Sequence, residues 1–211
     1  MGTDSGVSLT ELLVAMGLMT TVGAMALAYF VSSSASSSRT TNETLTATQL
    51  RTAMSAVTTL FRLADTPTAQ AGFPTNRFDQ ITAAQVTFYS NVNNNRVASA
   101  ARTAPAKIVL TATSTQLIEK YFLPLAATVP ADYTQNYGAT ASSTRVLVDS
   151  LSNTSAFTYC AVLNPDARTC KTPATTGDTV AAVTVSLKST GLRGESPQYL
   201  TSTIGITGAL S

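Results

Sequence analysis

Histidine and tryptophan are absent from this chain of 211 residues, and charged side chains make up only 11% of it. Without histidine, a Ser-His-Asp relay has no base and the commonest nitrogen ligand for zinc is missing. No G-x-S-x-G or S-x-x-K stands out at a strand-to-helix turn. Gly191-Leu192-Arg193-Gly194 lacks the G-K-[ST] of a phosphate loop and reads as a strand connection. The chain is therefore expected not to be an enzyme. Positive charge is sparse as well: the net charge is +2, the Lys and Arg are scattered singly, and the first basic residue is Arg39. A nucleic-acid binder shows a clustered basic face, so no specific nucleic-acid partner is expected.

Cysteine is scarce too. Cys160 and Cys170 lie ten positions apart and flank Asn164-Pro165-Asp166, a turn signal. Two thiols across a turn suit a disulfide in an oxidising compartment, where closing so short a loop adds about 2–3 kcal/mol. Two unpaired buried thiols, or a redox pair, are the alternatives, although the spacing is not that of C-x-x-C. Oxygen ligands for calcium are available at Asp149, Asp166 and Asp178, but no D-x-D-x-D-G loop is present. The expectation is no cofactor, with calcium the one metal whose ligands are to hand. Asn42-Glu43-Thr44 and Asn153-Thr154-Ser155 match the glycosylation sequon, a pattern common by chance in a Thr-rich chain.

What the sequence does have is a long apolar run. Leu12 to Val31 is twenty residues whose strongly polar members are Thr20 and Thr21. As helix it covers ~30 Å, the thickness of a bilayer's hydrocarbon. One reading is an ordinary secretory signal cut after Ala26-Leu27-Ala28, followed by a secreted or anchored binding domain such as an adhesin or solute binder. A plain signal anchor is another. Neither accounts for Glu11, a carboxylate at the head of the run. Ser8-Leu9-Thr10-Glu11 fits an S-x-x-E capping box, and a carboxylate there meets the positive end of the helix dipole. A cap alone, however, has no need to precede a membrane span, and an acidic residue within lipid costs ~2.5–3.5 kcal/mol. Such a residue is expected to have a partner.

The segment Gly6-Val7-Ser8-Leu9-Thr10-Glu11-Leu12 resembles the prepilin processing motif of type IV pilins and type II secretion pseudopilins. The resemblance implies that prepilin peptidase cuts between Gly6 and Val7, removing residues 1–6 as a leader and methylating the amino group of Val7. Glu11 then stands fifth in the mature chain, where the family keeps its glutamate. The family supplies the partner as well, the charged amino terminus of a neighbouring subunit. Val7 occupies a place where the family usually has Phe, and the apolar span holds no proline.

Downstream, Ser32 to Ser38 is almost all serine, of low helix propensity, and reads as a linker or a loosened helix. Leu50, Ala53, Met54, Val57, Leu60, Phe61 and Ala64 then recur at helical spacing, opposite Gln49, Arg51, Thr52, Ser55, Thr59 and Arg62. Asp65-Thr66-Pro67 ends the pattern. The pieces predict a helix from about Ser8 to Ala64, with its first half in lipid or filament core and its second half on a soluble domain.

Strand periodicity follows at Gln85–Tyr89, at Lys107–Thr111 and Gln116–Phe122 around Thr113-Ser114, at Arg145–Val148, Phe157–Val162 and Val180–Leu187, and from Tyr199 to Ile206. One long helix followed by strands predicts an α+β fold, the helix covering an antiparallel sheet. The domain plan is a leader at 1–6, a transmembrane or filament-core helix at 7–31, a serine-rich stretch and amphipathic helix at 32–66, and a β-rich domain at 67–211.

This order of features is similar to that of J-type pseudopilins and W-type minor pilins. It implies a pilin-like fold and a structural subunit that enters, or initiates, a pilus-like filament. The implied partners are other pilin or pseudopilin subunits, prepilin peptidase, an inner-membrane assembly platform and the lipid bilayer. The implied location is the cytoplasmic membrane as a single-pass protein with its soluble domain outside, and later a pilus or pseudopilus at the cell surface.

Overall fold

The computed structural model describes residues 8–65, 77–92, 105–123, 137–163, 170–177, 180–190 and 197–206. The chain divides into two compact units, Met1–Thr44 and Leu45–Ser211. Helix α1, Leu9–Arg62, contributes to both.

In the first unit α1 is helical without a break, including the serine-rich stretch that the sequence suggested as a linker. Serine costs a helix only about 0.5 kcal/mol per residue, and extending an existing helix adds one hydrogen bond for each residue fixed. With neither Gly nor Pro between Tyr29 and Gln49, nothing interrupts the ladder. The threonine hydroxyls are satisfied within the helix. Thr20 and Thr21 donate to the carbonyls of Gly17 and Leu18, and Thr40 and Thr41 to those of Ser36 and Ser37. Such back-bonding gives each of these hydroxyls a partner within the helix. This helix is long and apolar enough to cross a membrane, a test that a signal sequence also passes.

In the second unit the remainder of α1 buries Leu50, Ala53, Met54, Val57, Leu60 and Phe61, which with the buried Ala64 just beyond it are the stripe read from the sequence, and it buries Thr46 as well. Two antiparallel sheets complete this unit. The first has the order β1-β2-β3-β4-β5: β1 Phe78–Ile81, β2 Gln85–Ser90, β3 Ala106–Ala112, β4 Leu117–Phe122 and β5 Ser143–Val148. The second has the order β7-β6-β8-β9: β6 Phe157–Leu163, β7 Cys170–Pro173, β8 Ala182–Ser189 and β9 Gln198–Gly205. The α+β class holds, but the expected single sheet is corrected to two. Alternation fixes which face of a strand is buried, not which strand it pairs with.

The expected hairpin at Thr113-Ser114 is present. β3 and β4 pair from Ala112↔Leu117 to Lys107↔Phe122, and Thr113 N–H donates to the Gln116 carbonyl at 2.8 Å. The end of α1 is pinned to the end of β2. Ser90 Oγ donates to the Leu60 carbonyl at 3.1 Å, and Asn91 N–H to that of Leu63 at 3.0 Å. Phe61 then stacks on Phe88 at 4.7 Å, with Phe78 5.8 Å from Phe88, joining helix, β1 and β2 in one aromatic cluster. The two sheets meet at the connection between β1 and β2, where the Ala83 carbonyl accepts from Ala156 and Phe157 N–H. Gly177 lies so close to β1 that a Cβ there would fall 2.0 Å from the Phe78 carbonyl oxygen, so only glycine fits.

Candidate functional site

Glu11 is in the first turn of α1. The Ser8 carbonyl opens the helix by accepting from Glu11 N–H at 3.0 Å and from Leu12 N–H at 3.1 Å. The Ser8 hydroxyl, which a capping box would aim at the Glu11 amide, instead lies 2.7 Å from the Thr10 hydroxyl. The reciprocal box is therefore not formed, and among the described residues the Glu11 carboxylate has no hydrogen-bond or ion-pair partner. It shares an exposed face with Val14, Ala15 and Leu18, one helical turn apart. From Leu12 to Ser38 no side chain is charged. Among the described residues Glu11 is thus a lone carboxylate heading an exposed apolar surface, placed at the positive end of the helix dipole. Gly6 and Val7, the residues of the processing motif's cut, lie outside the described residues. Ala26, Leu27 and Ala28 sit inside the continuous helix.

Cys160 and Cys170 form a disulfide, with Cα atoms 5.4 Å apart. It joins β6 to β7, a four-residue edge strand whose pairing with β6 slips twice and which ends in a proline. So short a strand supplies few ladder bonds, and the covalent link holds it. Of the acids considered for calcium, Asp149 is exposed beyond β5, while Asp166 and Asp178 lie outside the described residues. No group of three or more metal-ligating side chains occurs among the described residues. Asn153, the second sequon, is held by the backbone. Its amide donates to the carbonyls of Ser186 at 2.8 Å and Ser155 at 3.2 Å, and its oxygen accepts from Lys188 N–H at 2.9 Å. A glycan on that nitrogen would compete with these bonds.

Two polar constellations escaped the sequence reading. On β4, Leu117, Glu119 and Tyr121 share a face, and Glu119 pairs directly with Arg145 of β5, its carboxylate 2.6 Å from the guanidinium. The period-two count placed Glu119 beside Leu117 and so signalled a buried acid, which should have prompted a search for a cation on the neighbouring strand. Asp79 accepts from the Tyr89 hydroxyl at 3.1 Å and lies 3.6 Å from the Lys107 ammonium. It falls where the β1–β2 register slips, a feature with no sequence signal. The first ties neighbouring strands β4 and β5, and the second ties β1 to β2 through Tyr89 and, across β2, to β3 through Lys107.

No family model matches the chain, and no curated protein matches it. The class is defined by the architecture: one long N-terminal helix, apolar and exposed in the first unit, and an α+β unit with two antiparallel sheets and a disulfide.

Proposed function

We propose that this chain is a pilin-like structural subunit, a minor pilin or pseudopilin, that is cut between Gly6 and Val7 and enters or initiates a filament. The observation that carries this reading is Glu11, a carboxylate with no partner among the described residues, in the fifth place after Gly6 and at the head of an apolar helix. Before assembly the helix resides in the cytoplasmic membrane, with the β-rich unit outside. Prepilin peptidase and an assembly platform act on it there. In the filament the apolar surface packs against the helices of other subunits, and the methylated ammonium of Val7 in a neighbour neutralises Glu11. Removing one partner of a buried ion pair costs about 3–5 kcal/mol, so a subunit in the wrong axial position is rejected.

Glu11→Ala tests this. Membrane insertion and leader removal are expected to stay at wild-type levels, while the amount recovered in sheared filaments falls by about tenfold or more. Normal incorporation would overturn the mechanism. The rival is a secreted or anchored binding domain, since the same helix passes as a signal sequence. Amino-terminal sequencing separates them: N-methylated Val7 supports the filament subunit, Tyr29 supports secretion, and an intact Met1 supports a plain anchor.

A further inference from the structure

Among the described residues each sheet ends in two edge strands, and an edge offers unpaired N–H and C=O groups to any strand that reaches it. β1, β5 and β7 carry features that oppose such pairing. β1 has four residues, an acid at Asp79 and a slipped register. β5 carries Arg145 and a slip against β4, and β7 has four residues, two slips and a closing proline. β9 has none of these. Its eight residues, Gln198–Gly205, hold no charge and no proline, and each pairs with β8 in unbroken register.

The register also fixes which way the backbone groups of β9 point. Ser186 N–H donates to the Ala156 carbonyl at 2.8 Å, and the Lys188 carbonyl accepts from Ser152 N–H at 2.7 Å. The even-numbered residues of β8 therefore turn their amides toward the β6 side, and Val183, Val185 and Leu187 bond to β9 at Ile204, Ser202 and Leu200. Successive residues of a strand alternate sides, so the N–H and C=O of Tyr199, Thr201, Thr203 and Gly205 face away from β8. Among the described residues they make no backbone bond on that side. Tyr199, Thr201 and Gly205 are exposed, and a Cβ on Gly205 would meet nothing within 4 Å. On the opposite face of the strand Ile204 is buried in the core and Leu200, partly buried, packs against that core.

We propose that β9 is a self-recognition edge, pairing antiparallel with β9 of a second copy of this chain across a two-fold axis at Ser202. The sequence commits to that occupant. In Tyr-Leu-Thr-Ser-Thr-Ile-Gly, Thr201 answers Thr203 and Leu200 answers Ile204 about Ser202, and the ends are a large side chain and none at all. A two-fold contact requires a surface complementary to itself. In this register the outward amides meet: Tyr199 and Gly205, and Thr201 and Thr203, exchange both N–H···O bonds, and the axis repeats each pair. On the core side Leu200 lies opposite Ile204 of the copy, which covers its exposed part. On the outer side the Tyr199 ring lies over Gly205, where no side chain competes for the space. A slip of one residue brings outward amides against residues whose amides already bond β8. With no charge on either strand, the copies meet without repulsion. The inference is independent of the filament reading, because none of its residues lies in α1.

Sedimentation velocity of the full chain in detergent, across a concentration series, tests this. The wild type is expected to pass from monomer to dimer as concentration rises. Thr201→Pro removes an outward N–H and leaves the β8 ladder whole, since proline is tolerated where the N–H faces outward. It should weaken the dimer by about tenfold or more while the unfolding midpoint stays near that of the wild type. Cross-linking tests the register. Cys160 and Cys170 are joined to each other, so an added thiol reports its own neighbour. Ser202→Cys brings two thiols together at the axis, with Cα atoms about 4.5 Å apart, and should give a disulfide-linked dimer under mild oxidation. Thr201→Cys, whose counterpart lies diagonally about 7–8 Å away, should cross-link far less. A wild type that stays monomeric would overturn the proposal, as would a dimer unaffected by Thr201→Pro, which would assign association to another surface. Equal cross-linking at the two positions would overturn it too, and the cysteine pair decides even if the proline variant fails to fold. Glu11→Ala should leave this dimer intact, so failure here is distinguishable from failure of the Glu11 mechanism.

Discussion

Between Leu12 and Val31, helix α1 carries large apolar side chains that are 55–80% exposed, whereas from Leu50 to Phe61 its buried stripe is at most 7% exposed. The residue types are much the same, and what differs is their arrangement. In the later segment apolar residues recur on one side, opposite Gln49, Arg51, Thr52, Ser55, Thr59 and Arg62, and that side closes the core of the two-sheet unit. In the earlier segment apolar residues face every direction, so no rotation of the helix would present a polar side to water. A helix apolar all round belongs in lipid or among other helices. The buried stripe belongs to a core formed within the second unit, whereas the first holds a helix long and apolar enough to cross a membrane, a test that a signal sequence also passes.

The sharpest way to break this contrast is to truncate one side chain from each segment. Phe61 is fully buried and stacked on Phe88 at 4.7 Å. Phe61→Ala is expected to lower the unfolding free energy of the β-rich unit by about 3–5 kcal/mol. Leu13→Ala, at a position 66% exposed, should leave that free energy within about 0.5 kcal/mol. Denaturant unfolding of the full chain in detergent measures both effects. Equal destabilisation at the two sites would mean that the first segment also belongs to a self-contained core.

A smaller effect is expected at the disulfide. Replacing both Cys160 and Cys170 with serine should remove about 2–3 kcal/mol from the β-rich unit, with membrane retention unchanged. An unaltered melting temperature under oxidising conditions would show that β7 is held by its short ladder alone.

The contrast also marks what was legible in the sequence. The apolar run, the buried stripe and the strands at β2–β6, β8 and β9 follow from period-3.6 and period-2 counts, because burial leaves a direct trace in the text. β1 and β7 left little trace. Phe-Asp-Gln-Ile and Cys-Lys-Thr-Pro are four residues each, polar in the middle or ended by proline, and they exist because a neighbouring strand offers an edge. The division into two sheets was illegible for the same reason, since pairing is a long-range choice. At the candidate site, Glu11 stood out because a charge beside twenty uncharged residues is conspicuous. Its expected capping role was not met, since the Ser8 hydroxyl turned to Thr10. The open edge of β9 was hidden in a Thr-rich text where any window resembles any other, and only the register shows which of its amides face away from β8.

The smallest expected effect lies in the polar tie between the sheets, and its pH dependence probes the second unit alone. The Tyr159 hydroxyl donates to the Thr82 carbonyl at 2.8 Å, linking β6 to the connection between β1 and β2. Burial pushes its pKa well above the ordinary 10.0. The native state therefore keeps the phenol neutral where the unfolded chain would ionise. That contribution to stability is complete below pH 10 and is lost progressively as the pH rises above it, because only the unfolded state then releases the proton. Tyr159→Phe should cost about 1 kcal/mol near neutral pH through the lost hydrogen bond. Above pH 10 its stability should fall less steeply than that of the wild type, so the two curves converge. The other tyrosines are common to both proteins and cancel in the difference. Parallel curves across pH 8 to 11 would show that the Tyr159 phenol ionises alike in the folded and unfolded chains, and that the junction between the sheets admits water.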